Sequence, residues 1–289
     1  MLKYICYNWF GTIADHALDF TAEQYAGCGV TKLHNKTLDP SQVKEGDIVF
    51  VKTDFIYNGT FQSVYLPQIK NKFVLVTGNS SYQVTNGADI SSIINSPYLI
   101  KWHCTNAPSH HQDKIVPLPI GFEELDREGG NQEVIETRRR NRLDFAEKSD
   151  KILLPYHTLH TNPQRAELFN SLKSLPFVET QSEKLNFEDY LRKLNEYKFV
   201  ICLQGSGPDV HRNYEALLVD TVPINMVSSI KYIFDYHKLS GVFVDDWSDL
   251  SADYHEKLLS STYDMSVNSS FLEIDNHAHN IRKDSNYEN

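Results

Sequence analysis

Short and almost continuously apolar runs recur along the chain, and segments with helical spacing lie between them. Such runs favour strands covered on both faces, as in parallel α/β sheets. We predict strands at residues 3–7, 47–51, 72–77, 99–102, 115–118, 151–156, 177–180, 198–203, 222–225 and 241–244. Helices are predicted at residues 19–25, 90–95, 132–142, 162–172, 187–196 and 210–218, and after residue 251. Pro163 should occupy the first turn of its helix, where its missing N–H is tolerated.

Strands that alternate with helices in both halves predict an α/β protein with two βαβ-type domains. We place the N-terminal domain at residues 1–148 and the C-terminal domain at residues 149–289. The last helix is expected to be able to pack back on the N-terminal domain. Ligands of such domains bind at the carboxyl ends of the strands, so the predicted site is a cleft between the two domains.

The 289 residues include 28 Lys and Arg against 38 Asp and Glu, which gives a formal net charge of -10. This balance disfavours a general nucleic-acid binder, because affinity for a phosphate backbone comes mainly from clustered Lys and Arg. It permits an anionic small ligand, since a helix N-terminus with a few Arg or His residues binds phosphate. We therefore expect no nucleic-acid partner.

The 4 cysteines are scattered without a CxxC pair, which argues against a disulfide framework and against a zinc motif. No apolar run approaches the roughly 18 residues of a transmembrane helix. The N-terminus lacks the apolar segment of a signal peptide. We expect a cytoplasmic protein with no transmembrane segment, present as a monomer or a weak oligomer.

The most informative stretch is the strand at residues 198–203, which leads through a glycine-rich turn into a helix. Gly205 and Gly207, with Ser206 between them, permit unusual backbone angles and the close approach of a ligand. The helix start presents free N–H groups and the positive end of the helix dipole. A turn and helix of this kind suit a bound anion, although a plain βα loop is the alternative for the glycine turn alone.

Charged residues at this helix start sharpen the interpretation. His211 and Arg212 can complement a diphosphate, and Arg212 supplies a permanent charge with a bidentate fork. Glu215 lies one turn further on, where a carboxylate suits two ribose hydroxyls. The stretch is neither a GxGxxG fingerprint nor a P-loop, because no GK[ST] follows the glycines. We therefore interpret it as a nucleotide-diphosphate site of another type.

The full string G-S-G-x-D-x-H-R-x-x-E-A-L, followed by V-P-I, resembles the signature of the exostosin-like glycosyltransferases. Weaker matches to compact viral and bacterial members lie at residues 76–82, 102–106, 114–121, 161–165 and 243–247, so the similarity extends from about Val51 to Leu250. The family usually has Arg-Gly where this chain has Gln204-Gly205. This departure changes how the charge of the donor is shared.

The resemblance implies a GT-B fold, with two facing Rossmann-like domains, parallel sheets and an interdomain cleft. It also implies an inverting transferase that moves a sugar, with xylose among the candidates, from a UDP-sugar to a glycan acceptor. In that family His211 and Arg212 would contact the diphosphate, Glu215 the ribose, and Arg165 would help to stabilise the leaving group. Compact members occur in large DNA viruses, which implies viral glycan synthesis in the host cytoplasm.

Metal-dependent transferases often hold a cation with Asp-x-Asp, and this motif does not occur in the sequence. Asp245 and Asp246 are adjacent, so on a strand they would point to opposite faces. We therefore predict no metal and no cofactor, with the leaving group stabilised by Arg212, His211 and Arg165. For Arg165 an ordinary surface position on its helix is the alternative.

The general base should come from the N-terminal half. Asp54 follows a predicted strand, as residues of a cleft do, and Asp15, His16 and His103 are its rivals. Hydroxyl groups of the substrates would be positioned by Asn79, Ser80 and Asn106, for which turn formation is the simpler role. Trp102 offers a face for sugar stacking.

Two other functions stay open from the sequence. A GDP-sugar transferase of the fucosyl type has a similar HR-x-x-E-like helix. A catalytically inactive glycan- or nucleotide-binding module is the alternative outside the enzymes, although such a module need not retain His211, Arg212 and Glu215 together.

Overall fold

The computed structural model describes residues 2–85, 87–108, 113–158 and 161–286. The chain divides into two compact units, the first made of Met1–Gly130 with Glu273–Asn289 and the second of Asn131–Leu272. Each unit contains a parallel sheet of five strands, with helices in the connections. This confirms the predicted α/β class with two parallel sheets, and each unit is consistent with a Rossmann-like domain.

The sheet of the first unit has its strands in chain order. They are β1 (His16–Leu18), β2 (Asp47–Lys52), β3 (Phe73–Gly78), β4 (Leu99–Cys104) and β5 (Ile115–Pro117). Neighbouring strands are parallel throughout. The helices of this unit are α1 (Phe10–Ile13), α2 (Ala22–Gly27), α3 (Thr53–Tyr57), α4 (Ser91–Ile94) and the C-terminal α12 (Ile274–Ser285).

Strand order explains why the first unit needs its C-terminal helix. Each connection from β1 to β5 steps in the same direction, so right-handed crossovers place all of them on one face of the sheet. The other face must be covered by other segments, and α12 packs against β2, β3 and β4. Ile281 and Ala278 of α12 are buried there. His103 of β4 is hydrogen-bonded through Nε2 to Oδ2 of Asp284 at 2.8 Å, which fixes the helix to the sheet.

The second unit has a different strand order, β10-β9-β8-β6-β7. Its strands are β6 (Ser149–Leu154), β7 (Val178–Thr180), β8 (Tyr197–Ile201), β9 (Val222–Met226) and β10 (Val242–Val244). Its helices are α5 (Gln132–Arg140), α6 (Arg165–Leu172), α7 (Phe187–Asn195), α8 (His211–Leu218), α9 (Ser229–His237), α10 (Ala252–Ser260) and α11 (Asn268–Phe271).

The order of the second sheet creates a switch point between β6 and β8. The chain leaves β6 toward β7 and then returns across β6 to β8, so the direction of travel reverses. Right-handed crossovers therefore place α6 on one face and α7 and α8 on the other. On the α6 side, Leu172 shares a buried cluster with Trp247 and Leu258. The loops that follow β6 and β8 leave in opposite directions, which is where open α/β sheets bind ligands.

Three sequence predictions need correction. The segment at residues 3–7 is not a strand of the sheet, because Tyr4 and Cys6 form only isolated bridges to Glu273 and Phe122. The first strand is β1, which is too short for a periodic signal. Pro163 lies before α6, whose N-cap is Gln164.

The domain boundary is the third correction. Residue 148 lies inside the second unit, which begins at Asn131. The physical reason is α5, which packs against α7 and α8, with Arg138 paired to Glu188 at 2.8 Å. The other predicted strands are found within a few residues of their expected bounds.

Candidate functional site

The switch point of the second unit carries the residues that the glycine motif singled out. The loop after β6 contains Tyr156 and His157, and the loop after β8 contains the segment from Gln204 to Gly207. Both loops leave the carboxyl ends of neighbouring strands, on the two sides of the reversal. The glycine loop, which we predicted to bind the nucleotide of the sugar donor, therefore lies where strand topology alone would place a ligand.

The glycine loop is held by a clamp, which we define as residues 161–165. Arg165 donates from Nε to the carbonyl of Gln204 at 2.7 Å and from Nη2 to the carbonyl of Leu203 at 2.8 Å. Asn162 donates from Nδ2 to the carbonyl of Gly205 at 3.4 Å. Thr161 accepts a bond from Nη1 of Arg165 at 2.6 Å. Successive carbonyls of the loop are thus turned toward the clamp.

This arrangement fixes the direction of the N–H groups of the loop. In a planar trans peptide the N–H points opposite to the C=O, so the N–H groups of Gln204, Gly205 and Ser206 are directed away from the clamp. Among the described residues none accepts a hydrogen bond from these three groups. Successive N–H groups of this kind form an anion-binding concavity.

Gly205 acts by leaving space for a neighbouring side chain rather than through an unusual backbone angle. Neither Gly205 nor Gly207 has a positive φ, which corrects the expectation from the sequence. A Cβ at Gly205 would lie 3.3 Å from Nη2 of Arg165. The missing side chain therefore lets the guanidinium approach the backbone of the loop.

Arg165 itself is a structural residue in this arrangement. Its side chain is buried, at 7% exposure, and four of its hydrogen bonds go to the backbone and to Thr161. Burial, and then the charge of Arg212, lower the pKa of Arg165 to about 10. Neither the predicted phosphate contact nor the surface alternative fits a guanidinium that is committed to the loop in this way.

Arg212 is the half-exposed cation at the start of α8. It donates from Nη2 to the carbonyl of Tyr156 at 2.9 Å and from Nε to the hydroxyl of Tyr190 at 3.2 Å. Burial alone would lower the pKa of Arg212, but Tyr190 and Glu215 outweigh it and raise the pKa. Val210, the N-cap of α8, supplies no side-chain bond, so the first N–H groups of the helix have no side-chain cap.

The other two residues of the motif flank Arg212. His211 is half-buried at the first position of α8. Glu215 is buried, at 8% exposure, one turn further along, and its charge acts on both Arg212 and Tyr190. Glu215 therefore helps to keep Arg212 charged and in place, and its predicted contact with ribose stays a prediction.

His157 is a residue of this site that the sequence did not reveal. It is buried, at 2% exposure, and its Nδ1 lies 2.6 Å from the carbonyl of Pro155, so Nδ1 carries the proton. Burial, followed by the charges of Arg212 and Arg165, lowers the pKa of His157 strongly. Its Nε2 has no hydrogen-bond partner among the described residues. The signal that could have found it is its position just after the end of β6.

The carboxyl edge of the first sheet gathers most of the predicted acceptor residues. Asp54 lies just after β2, and Asn79 and Ser80 follow β3, while Asn106 follows β4. Lys52, the last residue of β2, pairs with the carboxylate of Asp54 and donates to the carbonyl of Asn79. This buried lysine, at 6% exposure, was missed because it closes an otherwise apolar strand.

Asp15 and His16 lie at the opposite edge of this sheet. Asp15 accepts a bond from the backbone N–H of Ile48 at 2.8 Å, near the start of β2. His16 opens β1 and pairs through Nε2 with Asp47 at 2.8 Å. Both residues therefore stabilise the amino ends of the strands, away from the edge that carries Asp54. This position removes them as rivals for the base within this unit.

Two further predicted residues are buried in the first unit. Trp102 has 0% exposure and donates from Nε1 to Thr77 at 3.0 Å, so its ring belongs to the core and offers no face for a sugar. His103 has 1% exposure and is bonded to Asp284 of α12. Its role in holding the C-terminal helix argues against its use as the base.

Neither a metal cluster nor a membrane span is found in the part of the chain that the structure describes. No group of three or more His, Cys, Asp or Glu side chains could hold an ion there. Asp246 caps a short helical turn by accepting bonds from Ser248. None of the helices in the described ranges is long and apolar enough to cross a bilayer.

Comparisons with known proteins give little. No family model matches the chain, and no curated protein matches it. Among solved structures, a chain from "Crystal structure of GtfA/B complex" aligns over 84% of this chain with 11% sequence identity and a TM-score of 0.38. The match spans 55% of that chain, so this protein corresponds to little more than half of its length.

Proposed function

We propose that this chain is a glycosyltransferase that moves a sugar from a UDP-sugar to a hydroxyl group of a glycan acceptor. The observation that carries the proposal is the glycine loop at the β6–β8 switch point. Its N–H groups point away from the Arg165 clamp, and Arg212 lies at the start of the helix that follows. Fixed N–H groups beside a permanent cation suit a diphosphate.

The resemblance to exostosin-like enzymes implies an inverting reaction, and the same groups would let it proceed without a metal. The acceptor oxygen would attack the anomeric carbon as the bond from that carbon to the diphosphate oxygen breaks, and both bonding electrons leave with the diphosphate. Arg212, His211 and the loop N–H groups would stabilise the leaving charge. Asp54 would take the proton of the acceptor hydroxyl. The two units would face each other in a GT-B arrangement, as the resemblance to exostosin-like enzymes implies.

Neutral His157 would add a hydrogen-bond acceptor to the donor site. Its Nε2 is an acceptor, because Nδ1 already donates to Pro155. A uracil ring has one N–H that can donate, and guanine has several. The resemblance favours UDP with xylose among the sugars, and GDP is the competing nucleotide.

Nucleotide binding tests the donor site directly. We expect UDP to raise the melting temperature more than GDP, ADP or NAD, and Arg212→Ala to remove the shift. Arg192→Ala is the matched control, because Arg192 is an exposed arginine on α7 of the same unit. Stabilisation by NAD alone, or an unchanged UDP shift in Arg212→Ala, would contradict the proposal.

Turnover tests the reaction itself. We expect the protein to hydrolyse one UDP-sugar slowly in the absence of acceptor, at the same rate with and without EDTA. A rate lost in EDTA would overturn metal independence, and hydrolysis of a GDP-sugar instead would favour the fucosyl-type alternative. UDP binding without hydrolysis of any sugar nucleotide, alone or with acceptors, would favour an inactive binding module.

The proposal extends to the setting of the enzyme. We expect it to act in the cytoplasm, as a monomer or weak oligomer, in glycan synthesis of the kind that large DNA viruses direct. Sedimentation velocity measures the oligomeric state, and fractionation of expressing cells measures the location.

A further inference from the structure

Two asparagines mark the carboxyl edge of the first sheet. Asn79 follows β3 with φ 57° and Asn106 follows β4 with φ 47°, so both adopt the left-handed region that residues other than glycine rarely adopt. They are buried, at 5% and 2% exposure. Strained and buried polar residues at strand ends are frequent at binding sites.

The hydrogen-bond network fixes the orientation of both amides. Tyr25 donates its hydroxyl proton to Asp19 at 2.8 Å, so its oxygen accepts from Nδ2 of Asn79 at 3.0 Å. Nδ2 of Asn106 donates to the carbonyl of Ser80 at 3.1 Å. Within the described residues Oδ1 of each asparagine has no hydrogen-bond partner. The side-chain atoms left without a partner at this edge are therefore these two amide oxygens and the hydroxyl of Thr105, which directly follows β4. The two amide oxygens can be satisfied only by a donor.

The charges at this edge are balanced within the protein. The ammonium group of Lys52 pairs with Asp54, donates to the carbonyl of Asn79 and lies 4.4 Å from the ring centroid of Phe20. The carboxylate of Asp19 receives Tyr25, and His34 lies 3.1 Å from its second oxygen. A carboxylate or phosphate would thus meet two amide oxygens, one hydroxyl and an already paired cation. Hydroxyl groups, by contrast, can donate to free oxygens.

An exposed aromatic platform lies on the segment that follows Asn79. Tyr82 stacks on Tyr57 with centroids 4.0 Å apart and an interplanar angle of 10°, and the two side chains are 43% and 39% exposed. Gly87, at φ +99°, closes against Tyr57, because a Cβ there would lie 2.6 Å from Cδ2 of the ring. The N–H of Val84 donates to the carbonyl of Asn106 at 3.2 Å, which holds the segment of Tyr82 against the second asparagine.

We propose that Tyr82 is the stacking residue of a subsite that selects a neutral polyhydroxyl ring over a ring that carries a carboxylate or phosphate. The apolar face of a pyranose covers the exposed ring of Tyr82, and its hydroxyls donate to the amide oxygens of Asn79 and Asn106. Only the identification of this ring with the acceptor rests on the proposed function. The ring preference itself rests on the acceptors and the balanced charges of the first unit.

Direct binding tests the subsite with defined probes. Methyl β-glucopyranoside, β-galactopyranoside and β-xylopyranoside are titrated by ligand-observed NMR, with methyl β-glucuronide as the charged partner of the glucoside. We expect at least one neutral glycoside to bind saturably, and the glucuronide to bind about tenfold more weakly than the glucoside, since two unpartnered amide oxygens and an already paired cation disfavour an anion. The proposal is overturned if none of the neutral glycosides binds saturably, or if the glucuronide binds as tightly as the glucoside.

Variants assign the effect to the platform. Tyr82→Ala should weaken glycoside binding about tenfold, in line with the worth of one aromatic stack, while Tyr82→Phe should bind within about twofold because the ring remains. Tyr236→Ala is the matched control, because Tyr236 is 44% exposed and lies in the other unit. Unchanged binding in Tyr82→Ala, or loss in Tyr236→Ala, overturns the assignment.

The UDP melting shift, measured on the same samples, separates this inference from the proposed function. Glycoside binding that depends on Tyr82 in a protein that UDP does not stabilise would leave the subsite in place and remove the transferase. A UDP shift without glycoside binding would do the reverse.

Discussion

The two sheets carry different chemistry at the same structural position, their carboxyl edges. In the second unit the edge presents backbone N–H groups and the half-exposed cation Arg212, which suit an anion. In the first unit the edge presents unpartnered oxygens of Asn79 and Asn106 beside the paired Lys52 and Asp54. The second edge thus leaves backbone N–H groups without acceptors, and the first leaves amide oxygens without donors.

Strand order accounts for part of this difference. The reversal between β6 and β8 lets two loops diverge, so that a glycine loop can be held by the clamp on one side and expose its N–H groups on the other. The first sheet has no reversal, and its edge is built from residues that follow successive strands. A common architecture therefore provides two kinds of site, with backbone N–H groups left over at one edge and side-chain amide oxygens at the other.

The strongest test of the comparison is a pair of aspartate variants in the first unit. Asp54→Asn should lower turnover by about 10²–10⁴, the usual worth of a general base, while UDP binding stays unchanged. Asp15→Asn is the matched control at the amino edge, since the amide still accepts from Ile48, and it should retain full turnover. Activity that survives in Asp54→Asn would move the base elsewhere.

A buried arginine tests the donor edge. Arg165→Met should lower the free energy of unfolding by about 3 kcal/mol, because the carbonyls of Leu203, Gln204 and Thr158 lose a charged donor. It should also remove the UDP shift, because the glycine loop loses its support. Chemical denaturation measures the first effect, and Arg192→Met should change neither quantity. Lost UDP binding at unchanged stability would show instead that Arg165 contacts the nucleotide.

The neutral state of His157 gives a pH dependence in the second unit. Its folded-state pKa is lowered, so below about pH 6.5 only the unfolded chain takes up this proton. Stability from this group is therefore present above that pH and falls by up to about 1.4 kcal/mol per pH unit below it. His157→Asn should flatten the slope, and exposed His279→Gln should leave it unchanged. Equal slopes in all three proteins would contradict a neutral His157.

The smallest expected effect concerns the helix that completes the first unit. Asp284→Ala should lower the free energy of unfolding by about 1 kcal/mol, the worth of one hydrogen bond, because His103 loses its partner. His279→Ala, at an exposed position of the same helix, should lower the free energy of unfolding by less. If both variants have the same free energy of unfolding, α12 is held by its apolar contacts alone, and the hydrogen bond between His103 and Asp284 adds no stability.

Much of the fold could be predicted from the sequence. Runs such as Lys72–Thr77 and Lys198–Leu203 are apolar on both faces. A strand of this kind must be covered on both faces, which predicts a parallel sheet whatever the neighbouring strands are. The short β1 could not be found, because three residues carry no period. The boundary at residue 148 was wrong, since the packing of α5 on α7 and α8 is a long-range contact that local pattern does not record.

The candidate site divides in the same way. The sequence could place His211, Arg212 and Glu215 together at the start of one helix, because helical spacing fixes their relation; their contacts with a nucleotide stay predictions. Arg165 was not, because the same sequence suits a surface residue, a phosphate ligand or a clamp. Trp102 and His103 show the converse, since a residue type suited to catalysis or stacking is buried when its strand lies in the middle of a sheet.

The sequence by itself determined every strand of the two sheets except β1, together with the glycine loop and the charged start of α8, because these depend on periods and spacings within a few residues. The tertiary structure decided which strands are neighbours, and hence where the switch point lies and which loops meet there. It also decided that Arg165 supports the loop, that His157 is neutral and that Asn79 and Asn106 lack donors. These properties arise from burial and hydrogen bonds between segments far apart in the chain, which spacing along a sequence does not encode.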